Sequence, residues 1–240
     1  MTTQEGEETF WGWTDAALFL GCFLPAFVLA GFVNGFARAI TGETLSKAAN
    51  AMIAQFAWWG FSFAGLWAIF KFRHEKPFWS SLRFGPLGWK HALVAISAGP
   101  FLWFCVAFVT QHIGPVETKN AFYEMLDTWR AAAIIGFCAI TLGPLCEELS
   151  FRGFFQPLLS RSLGPVPGMI LSAAPFAIVH GPQYGWSWRH LLLLLLVGLA
   201  FAWQRFRTGS TLASTLTHAS YNAFMFIAYL ATEGDMLGKW

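Results

Sequence analysis

Long apolar stretches recur along the chain, and only short polar segments separate them. Of its 240 residues, 56% are hydrophobic and 12% are charged, whereas soluble domains average about 25% charged residues. Spanning the hydrocarbon core of a bilayer takes about 20 consecutive apolar residues. A helix satisfies its own backbone hydrogen bonds in lipid. The sequence therefore predicts a polytopic membrane protein built from helices.

Seven apolar windows define the predicted bundle. They are residues 16–37, 51–70, 92–111, 131–146, 162–188, 191–204 and 208–232. The fourth window becomes long enough to span if its helix continues to about Leu159, and the short sixth window suits a tilted or partly interfacial helix. We expect an all-α bundle of about seven transmembrane helices, or eight if one span is missed. The bundle forms a single domain over residues 1–240.

Lys and Arg are distributed unevenly between the connecting segments. One set of loops carries Lys71, Arg73, Lys76, Arg83, Lys90, Arg161, Arg205 and Arg207, and the opposite set carries Arg38, Lys47, Lys119, Arg130 and Arg189. Because cytoplasmic loops are enriched in cations, the first set is predicted to be cytoplasmic. The N-terminus is then cytoplasmic and, with seven spans, the C-terminus lies outside.

The remaining composition narrows the function classes. The acidic start MTTQEGEETF differs from the positive first region of a secretory signal peptide, so we expect a multi-pass protein of the plasma (inner) membrane. No nucleic-acid footprint is present.

An interfacial aromatic belt is predicted from Trp11, Trp13, Trp89, Trp129, Trp186 and Trp188. Interfacial positions are also predicted for His74, His91, His112 and His190.

A charged cluster interrupts the fourth apolar window. Glu147, Glu148 and Arg152 lie within six residues of CEELSFR. Each charge costs about 2.5–3.5 kcal/mol in a membrane span even on the lenient insertion scale, so the cluster must face a protein interior or a wet cavity. Glu148 and Arg152 are i,i+4 neighbours that can form an ion pair. Glu147 is rotated by about 100° and is predicted to be free of that pair.

Two further polar motifs lie on later windows. One is Phe176-x-x-x-His180 in FAIVH, and the other is His218-x-x-x-Asn222 in HASYN. Counted from the cytoplasmic ends of their spans, Glu147, His180 and Asn222 lie roughly 21 Å deep and His218 roughly 15 Å deep. Polar residues with unrelated packing roles would not be expected to lie at the same depth in the membrane. We therefore expect these side chains to meet in the bundle.

These residue types suit the activation of water. Glu147 can accept a proton from a water held against His180, while His218 and Asn222 donate hydrogen bonds to the oxyanion of a substrate carbonyl. In a second interpretation Glu147, His180 and His218 are three ligands to zinc or another divalent metal. The helical H-E-x-x-H signature is absent, so we expect no required cofactor.

A third interpretation is not enzymatic. Glu and His networks inside a membrane also serve as proton relays in transporters, and a binding scaffold could use the same side chains. Transporters are typically built from paired repeats with broken helices, and the sequence shows no internal repeat. Loss of Glu147 would be tolerated by a scaffold and not by a protease.

The three motifs, in this order, resemble those of a known family. CEELSFR is similar to the E-E-x-x-x-R motif, FAIVH to F-x-x-x-H and HASYN to H-x-x-x-N/D of the CAAX protease and bacteriocin-processing (CPBP) family of intramembrane proteases. That family includes type II CAAX prenyl endopeptidases and abortive-infection-like proteins. The resemblance covers about residues 131–231, and the catalytic motifs are predicted to lie within 131–232.

The resemblance implies an α-helical membrane fold with a cavity reached from the cytosolic side. By motif position, Glu147 and His180 would activate water and His218 and Asn222 would form the oxyanion site, with Glu148 and Arg152 in support. The expected partners are the lipid bilayer and a peptide or protein substrate, lipid-modified or membrane-associated. The family has been named both metalloprotease and glutamate protease. Its prenyl endopeptidase has eight spans, and the short gap between His180 and His218 argues against prenyl-protein processing more than against proteolysis.

Overall fold

Helices form nearly all of the regular structure. The computed structural model describes residues 9–42, 45–113 and 125–233. In chain order its helices are α1 (Trp13–Gly21), α2 (Phe23–Ile40), α3 (Lys47–Ala68), α4 (Phe78–Ser81), α5 (Trp89–Ile113), α6 (Trp129–Ile140), α7 (Leu142–Glu148), α8 (Gln156–Leu163), α9 (Pro165–Val179), α10 (Trp188–Thr208) and α11 (Thr211–Glu233). The predicted all-α membrane bundle is confirmed. The acidic segment 1–8 and Lys119 lie outside the described residues.

Among the described residues, five helical stretches are long and apolar enough to cross a membrane. They are Trp13–Ile40, Lys47–Arg73, Trp89–Ile113, Trp129–Leu163 and Trp188–Thr208. Helix α9 is apolar but has only 15 residues, about 22 Å of helix. Helix α11 has 23 residues and carries the His218 motif. The count of about seven spans stays a prediction.

The fourth window forms one helical stretch from Trp129 to Leu163, in agreement with the expected extension to about Leu159, with a break at the single residue Thr141 between α6 and α7. The window that carries His180 differs from the prediction, because α9 ends at Val179 instead of continuing to 188. Each break precedes a Gly-Pro pair, Gly143-Pro144 or Gly181-Pro182. Proline has no backbone N–H and is tolerated in the first turn of a helix, and both prolines lie there, Pro144 in α7 and Pro182 in the turn Gly181–Tyr184. Each pair therefore begins a new helical segment instead of continuing the preceding one.

A π-helical turn follows the charged motif. Residues Leu149–Phe155 form this turn between α7 and α8. Such turns are frequent at functional sites. Here the turn keeps Glu148 and Arg152 in contact while Glu147 lies on α7 before it.

The N-terminal segment before α1 is packed inside the bundle. Trp11 is only 3% exposed, its ring stacks on Phe154 at 5.6 Å, and its indole N–H donates to the Phe154 carbonyl at 3.2 Å. Arg161 donates to the Thr9 and Trp11 carbonyls. The predicted place of Trp11 in an interfacial belt is therefore wrong, because its hydrogen bond and stacking lie in the core. Trp13, Trp89, Trp186 and Trp188 are exposed.

The predicted cytoplasmic segments meet at one end of the bundle, here called the basic face. Asp15 on α1 contacts Arg73 at 3.1 Å and His74 at 2.9 Å. The Thr211 backbone N–H at the start of α11 donates to the Arg83 carbonyl at 3.0 Å, and Arg205 donates to the Thr211 hydroxyl at 3.1 Å. These contacts join the N-terminal segment and the segments that follow α3, α4, α8 and α10.

Helix α5 crosses α11 at a glycine. A Cβ on Gly99 would collide with the Ser220 hydroxyl, the Tyr221 backbone N–H and the Thr217 carbonyl. We expect Gly99→Val to push α11 away and to lower the free energy of unfolding by about 1–3 kcal/mol, the usual cost of overpacking. Thermal unfolding of the purified protein measures this.

The matched control for that variant is Gly31→Ala on α2. Gly31 is exposed and a Cβ there meets nothing within 4 Å. We expect its melting temperature to stay within a few degrees of the wild type, since exposed substitutions change stability little. Equal stability of the Gly99 variant and this control would contradict the tight α5–α11 crossing.

Candidate active site

A buried ion pair between Glu148 and Arg152 lies next to the predicted catalytic residues. Arg152 Nη1 is 3.1 Å from Glu148 Oε1, and both side chains are fully buried. Arg152 Nη2 also donates to the Gly198 carbonyl of α10 at 2.7 Å. Its guanidinium lies over the rings of Phe176 and Phe201, 4.7 and 5.5 Å from their centroids. The predicted i,i+4 pair is therefore present, and it ties the π-helical turn to α9 and α10.

His218 of α11 joins the two glutamates. Its Nδ1 is 3.1 Å from Glu148 Oε1, and its Nε2 is 3.8 Å from Glu147 Oε2. The ring stacks on Phe201 at 4.4 Å. A carboxylate paired with Arg152 can only accept a hydrogen bond, so the proton of this contact is on Nδ1. The remaining nitrogen, Nε2, faces Glu147.

Glu147 lies between two histidines. Its Oε1 is 3.9 Å from His180 Nε2, while its other oxygen faces His218. His180 Nδ1 is 2.7 Å from the Phe176 carbonyl, which can only accept, so the neutral ring has its lone pair on Nε2. A separation of 3.9 Å is too long for a direct hydrogen bond and is short enough for one water to contact both atoms.

Asn222 lies one turn after His218 on α11. Its Nδ2 donates to the Ala139 carbonyl at 2.8 Å, close to the break between α6 and α7, where helical hydrogen bonding is interrupted. A carboxamide carries two N–H groups, and this contact uses one of them. A substrate oxygen, the predicted partner of Asn222, would accept a hydrogen bond from the second N–H group.

A cavity of about 830 Å³ is lined by Glu147, His180, His218 and Asn222. Its walls come from α3, α5, α6, α7, α9, α10 and α11 and from the turn Gly181–Tyr184. Most of the lining is apolar, with a small set of polar groups. The polar lining residues are Gln55, Thr110, Glu147, His180, Gln183, Tyr184, His190, His218, Tyr221 and Asn222. Cavities of this size and composition are typical of ligand sites.

Six of these residues were missed or misplaced by sequence reasoning. Gln55, Thr110, Gln183 and Tyr184 carry no motif, Tyr221 occupies an unspecified position of the His218 motif, and His190 was predicted to be interfacial. His190 lines the cavity and stacks on Tyr184 at 4.5 Å. The signal that could have found Gln183, Tyr184 and His190 is the Gly181-Pro182 pair, since α9 ends just before it and these residues follow it and line the cavity.

The proposed metal ligands do not form a metal site in this geometry. Within residues 9–42, 45–113 and 125–233, no three His, Cys, Asp or Glu side chains are arranged to hold a metal ion. Glu147 presents a different oxygen to each histidine, at 3.9 and 3.8 Å. The three-ligand interpretation of Glu147, His180 and His218 is therefore not supported by the side-chain arrangement.

Comparison with known proteins gives one family match. Residues 129–224 match the Rce1-like family model, described as type II CAAX prenyl endopeptidase Rce1-like. The matched segment runs from the first residue of α6 into α11 and contains all three motifs, so the resemblance inferred from them is confirmed over these residues. The comparisons with curated proteins and with solved structures gave no match. The family match supports an intramembrane endopeptidase as the general class.

The ion pair generates a stability prediction. We expect Arg152→Ala to lower the free energy of unfolding by about 3–5 kcal/mol, because removing one partner leaves a buried charge unpaired. Activity should fall with stability, since Glu148 also holds His218. Thermal unfolding and expression level measure the effect.

Arg207→Ala is the matched control. Arg207 is exposed on α10 near the basic face, so the same truncation should leave the melting temperature almost unchanged. An Arg152 variant that is as stable as this control but inactive would assign Arg152 to substrate contact instead of structural support.

Proposed function

We propose that the protein is an intramembrane endopeptidase in which Glu147 activates the water that attacks a peptide bond. One observation carries the proposal: the two oxygens of the Glu147 carboxylate face His180 and His218 separately, at 3.9 and 3.8 Å, inside a large cavity. The neighbouring Glu148, and not Glu147, makes the ion pair with Arg152. Glu147 is therefore a carboxylate that is held in place but keeps capacity to accept a proton.

The chemical step follows from these positions. A water in the gap between Glu147 and His180 donates to the carboxylate, and the His180 Nε2 lone pair orients its other hydrogen. As the water oxygen bonds to the substrate carbonyl carbon, one proton moves to Glu147. The tetrahedral intermediate then breaks its C–N bond, and Glu147 returns the proton to the leaving amine. The products are a carboxylic acid and an amine, and Glu147 ends as it began.

His218 and Asn222 are proposed to stabilise the negative oxygen of that intermediate. Because His218 Nδ1 is committed to Glu148, its Nε2 donates only when the ring carries a hydrogen on both nitrogens. The second N–H of Asn222 supplies another donor. This arrangement gives the two adjacent glutamates different tasks: Glu147 handles the proton, and Glu148 holds and orients His218.

A binding scaffold or proton relay is the rival function. A relay would use the same chain of carboxylates and imidazoles, but it has no use for a large, mostly apolar cavity. That cavity suits a peptide with apolar side chains.

The proton-acceptor role predicts a selective loss of rate. We expect Glu147→Gln to fold normally and to cleave peptides about 10²–10⁴-fold more slowly, the usual contribution of a positioned base. Cleavage of a quenched fluorogenic peptide library by purified protein in detergent measures the rate.

Asp127→Asn is the control for the same carboxylate-to-amide change at an exposed position, and it should retain full activity. Near-normal turnover of the Glu147 variant would remove Glu147 from the role of base. Retained partner binding with no cleavage by any form would favour the scaffold.

The oxyanion role predicts how His218 and Asn222 respond. We expect Asn222→Ala to raise the barrier by about 2.7–4 kcal/mol with substrate binding largely kept, as for other oxyanion donors. His218→Ala should lose at least as much rate, because it also removes a partner of Glu148. Steady-state kinetics separate the rate constant from KM.

Elemental analysis of the same preparations tests the metal alternative. We expect no stoichiometric metal in any form, and activity that survives a chelator. Stoichiometric zinc in the wild type, lost in His218→Ala and kept in Asn222→Ala, would contradict the oxyanion role and restore the three-ligand site.

A further inference from the structure

A second, smaller cavity lies at the basic face. It has a volume of about 280 Å³, and two separate segments of the chain line it. Thr9 and Trp11 come from the segment before α1, and Lys76, Ser80 and Arg83 come from the segment around α4. We call this cavity the basic pocket. It is distinct from the cavity lined by Glu147, because the two share no lining residue.

The basic pocket combines two cations with a hydroxyl group. Lys76 and Arg83 both line it, and the described residues of its lining include no carboxylate. Ser81 donates its hydroxyl hydrogen to the Pro77 carbonyl, so the neighbouring Ser80 is the serine whose hydroxyl serves a ligand. An ammonium, a guanidinium and a hydroxyl around one small cavity are the donors that bind phosphate oxygens.

The buried carboxylate at this end of the bundle is already paired. Asp15 contacts Arg73 at 3.1 Å and His74 at 2.9 Å, and it also accepts a hydrogen bond from the Gly12 backbone N–H at 2.9 Å. Its charge is therefore balanced by groups outside the basic pocket. The cations of the pocket keep a positive field that favours an anion.

The backbone of the segment around α4 is held in an uncommon conformation. Glu75 and Arg83, which bracket it, have positive φ angles of 55° and 53°, a region that residues other than glycine seldom adopt. The Arg83 carbonyl accepts from the Thr211 backbone N–H at 3.0 Å, and the Leu82 carbonyl accepts from the Thr211 hydroxyl at 2.6 Å. Backbone outliers held by such contacts are found at ligand sites.

The segment before α1 is fixed as firmly. Arg161 of α8 donates to the Trp11 carbonyl at 3.2 Å, and the Trp11 indole N–H donates to the Phe154 carbonyl at 3.2 Å. Both sides of the basic pocket are therefore held by contacts to the bundle. A ligand would find its donors already in position and would lose little affinity to ordering them.

Aromatic side chains that the protein does not cover flank the pocket. Phe72 and Trp79 are 75% and 52% exposed, and the exposed cations Lys71 and Lys76 lie close to them in the sequence. Aromatic rings of this kind lie at the level of the lipid headgroups, and cations beside them attract anionic lipids. This composition places the basic pocket where lipid phosphates are within reach.

We propose that the basic pocket binds a negatively charged phosphate group, presented by the headgroup of an anionic lipid or by free phosphate. Lys76 supplies a point charge, Arg83 supplies planar paired donors, and Ser80 donates to a phosphate oxygen. The enrichment of cations in the predicted cytoplasmic loops accounts for their number. It does not account for their placement with a hydroxyl around one cavity. The site is independent of peptide hydrolysis.

A bound phosphate would join two segments that both contact the π-helical turn. Trp11 stacks on Phe154 of that turn. Leu82 packs against Gly153, where an added Cβ would lie 3.3 Å from the Leu82 Cβ and carbonyl oxygen. A ligand that binds only the folded protein raises its melting temperature. We therefore expect binding at the basic pocket to be visible in thermal unfolding as well as in direct measurements.

Native mass spectrometry of the detergent-purified protein tests the site. The probes are dioleoyl phosphatidylglycerol, which is anionic, and dioleoyl phosphatidylcholine, whose phosphate is balanced by its own choline. We expect the wild type to retain phosphatidylglycerol preferentially, and Lys76→Gln with Arg83→Gln to weaken this binding about 30-fold, from about 1 kcal/mol per cation. Lys76→Gln alone is the second variant in case the double variant does not fold, and it should weaken binding about fivefold.

The matched control is Lys71→Gln with Lys90→Gln. Both residues are exposed near the same face, and neither lines the basic pocket. The control removes the same charge, so we expect it to retain phosphatidylglycerol nearly as well as the wild type. An equal loss of binding in the control and in the Lys76 and Arg83 variant would show attraction to the whole face and overturn the proposal.

Inorganic phosphate distinguishes the two sources of the ligand. The melting temperature is compared in phosphate and in chloride at the same ionic strength. A rise in phosphate that the Lys76 and Arg83 variant lacks would assign the site to free phosphate. Retention of phosphatidylglycerol without such a rise would assign it to lipid. Either result supports the phosphate site.

The acidic residues before Thr9 provide a further variant. Glu5, Glu7 and Glu8 would compete with a phosphate if they reached the basic pocket, so Glu5→Gln, Glu7→Gln and Glu8→Gln are combined. We expect this triple variant to bind phosphatidylglycerol at least as tightly as the wild type. If neither protein prefers phosphatidylglycerol to phosphatidylcholine and neither is stabilised by phosphate, the proposal is wrong.

Discussion

The buried contact between Glu148 and Arg152 is the interaction on which the rest of the site depends. A charge at this depth is stable only with a partner, and Arg152 meets that need with a carboxylate, a backbone carbonyl of α10 and two aromatic rings. Glu148 in turn holds His218 of α11. One ion pair thereby fixes the relative positions of the π-helical turn, α9, α10 and α11, and leaves Glu147 to face the cavity.

The breaks in the helices are as important as the helices. The interruptions at Thr141 and after Val179 place Asn222 against a carbonyl near one break and place His180 at the end of a short helix. The residues after that helix then cover the cavity. Irregular backbone at membrane depth is tolerated where it lines such a cavity.

The helical architecture and part of the site could be predicted because a lipid environment strongly restricts which amino-acid sequences can span it. Apolar windows predicted the helical bundle, and i,i+4 spacing predicted the Glu148–Arg152 pair. The Gly143-Pro144 and Gly181-Pro182 pairs stand in the sequence, but the predicted spans rest on the lengths of the apolar windows alone. The end of α9 and the position of His190 therefore differ from the prediction. The pairing of His218 with Glu148 and the burial of Trp11 were not predictable, because they depend on contacts between residues 70 and 143 positions apart in the chain.

The central claim is that Glu147 activates water and does not itself attack the peptide. Single-turnover cleavage in ¹⁸O-labelled water, with enzyme in excess over peptide, tests this directly by mass spectrometry. Direct attack by water predicts one ¹⁸O atom in the new carboxyl group of the product and none in the peptide containing Glu147. Label in the Glu147 side chain, or a covalent adduct at that residue, would show a nucleophilic glutamate and contradict the account.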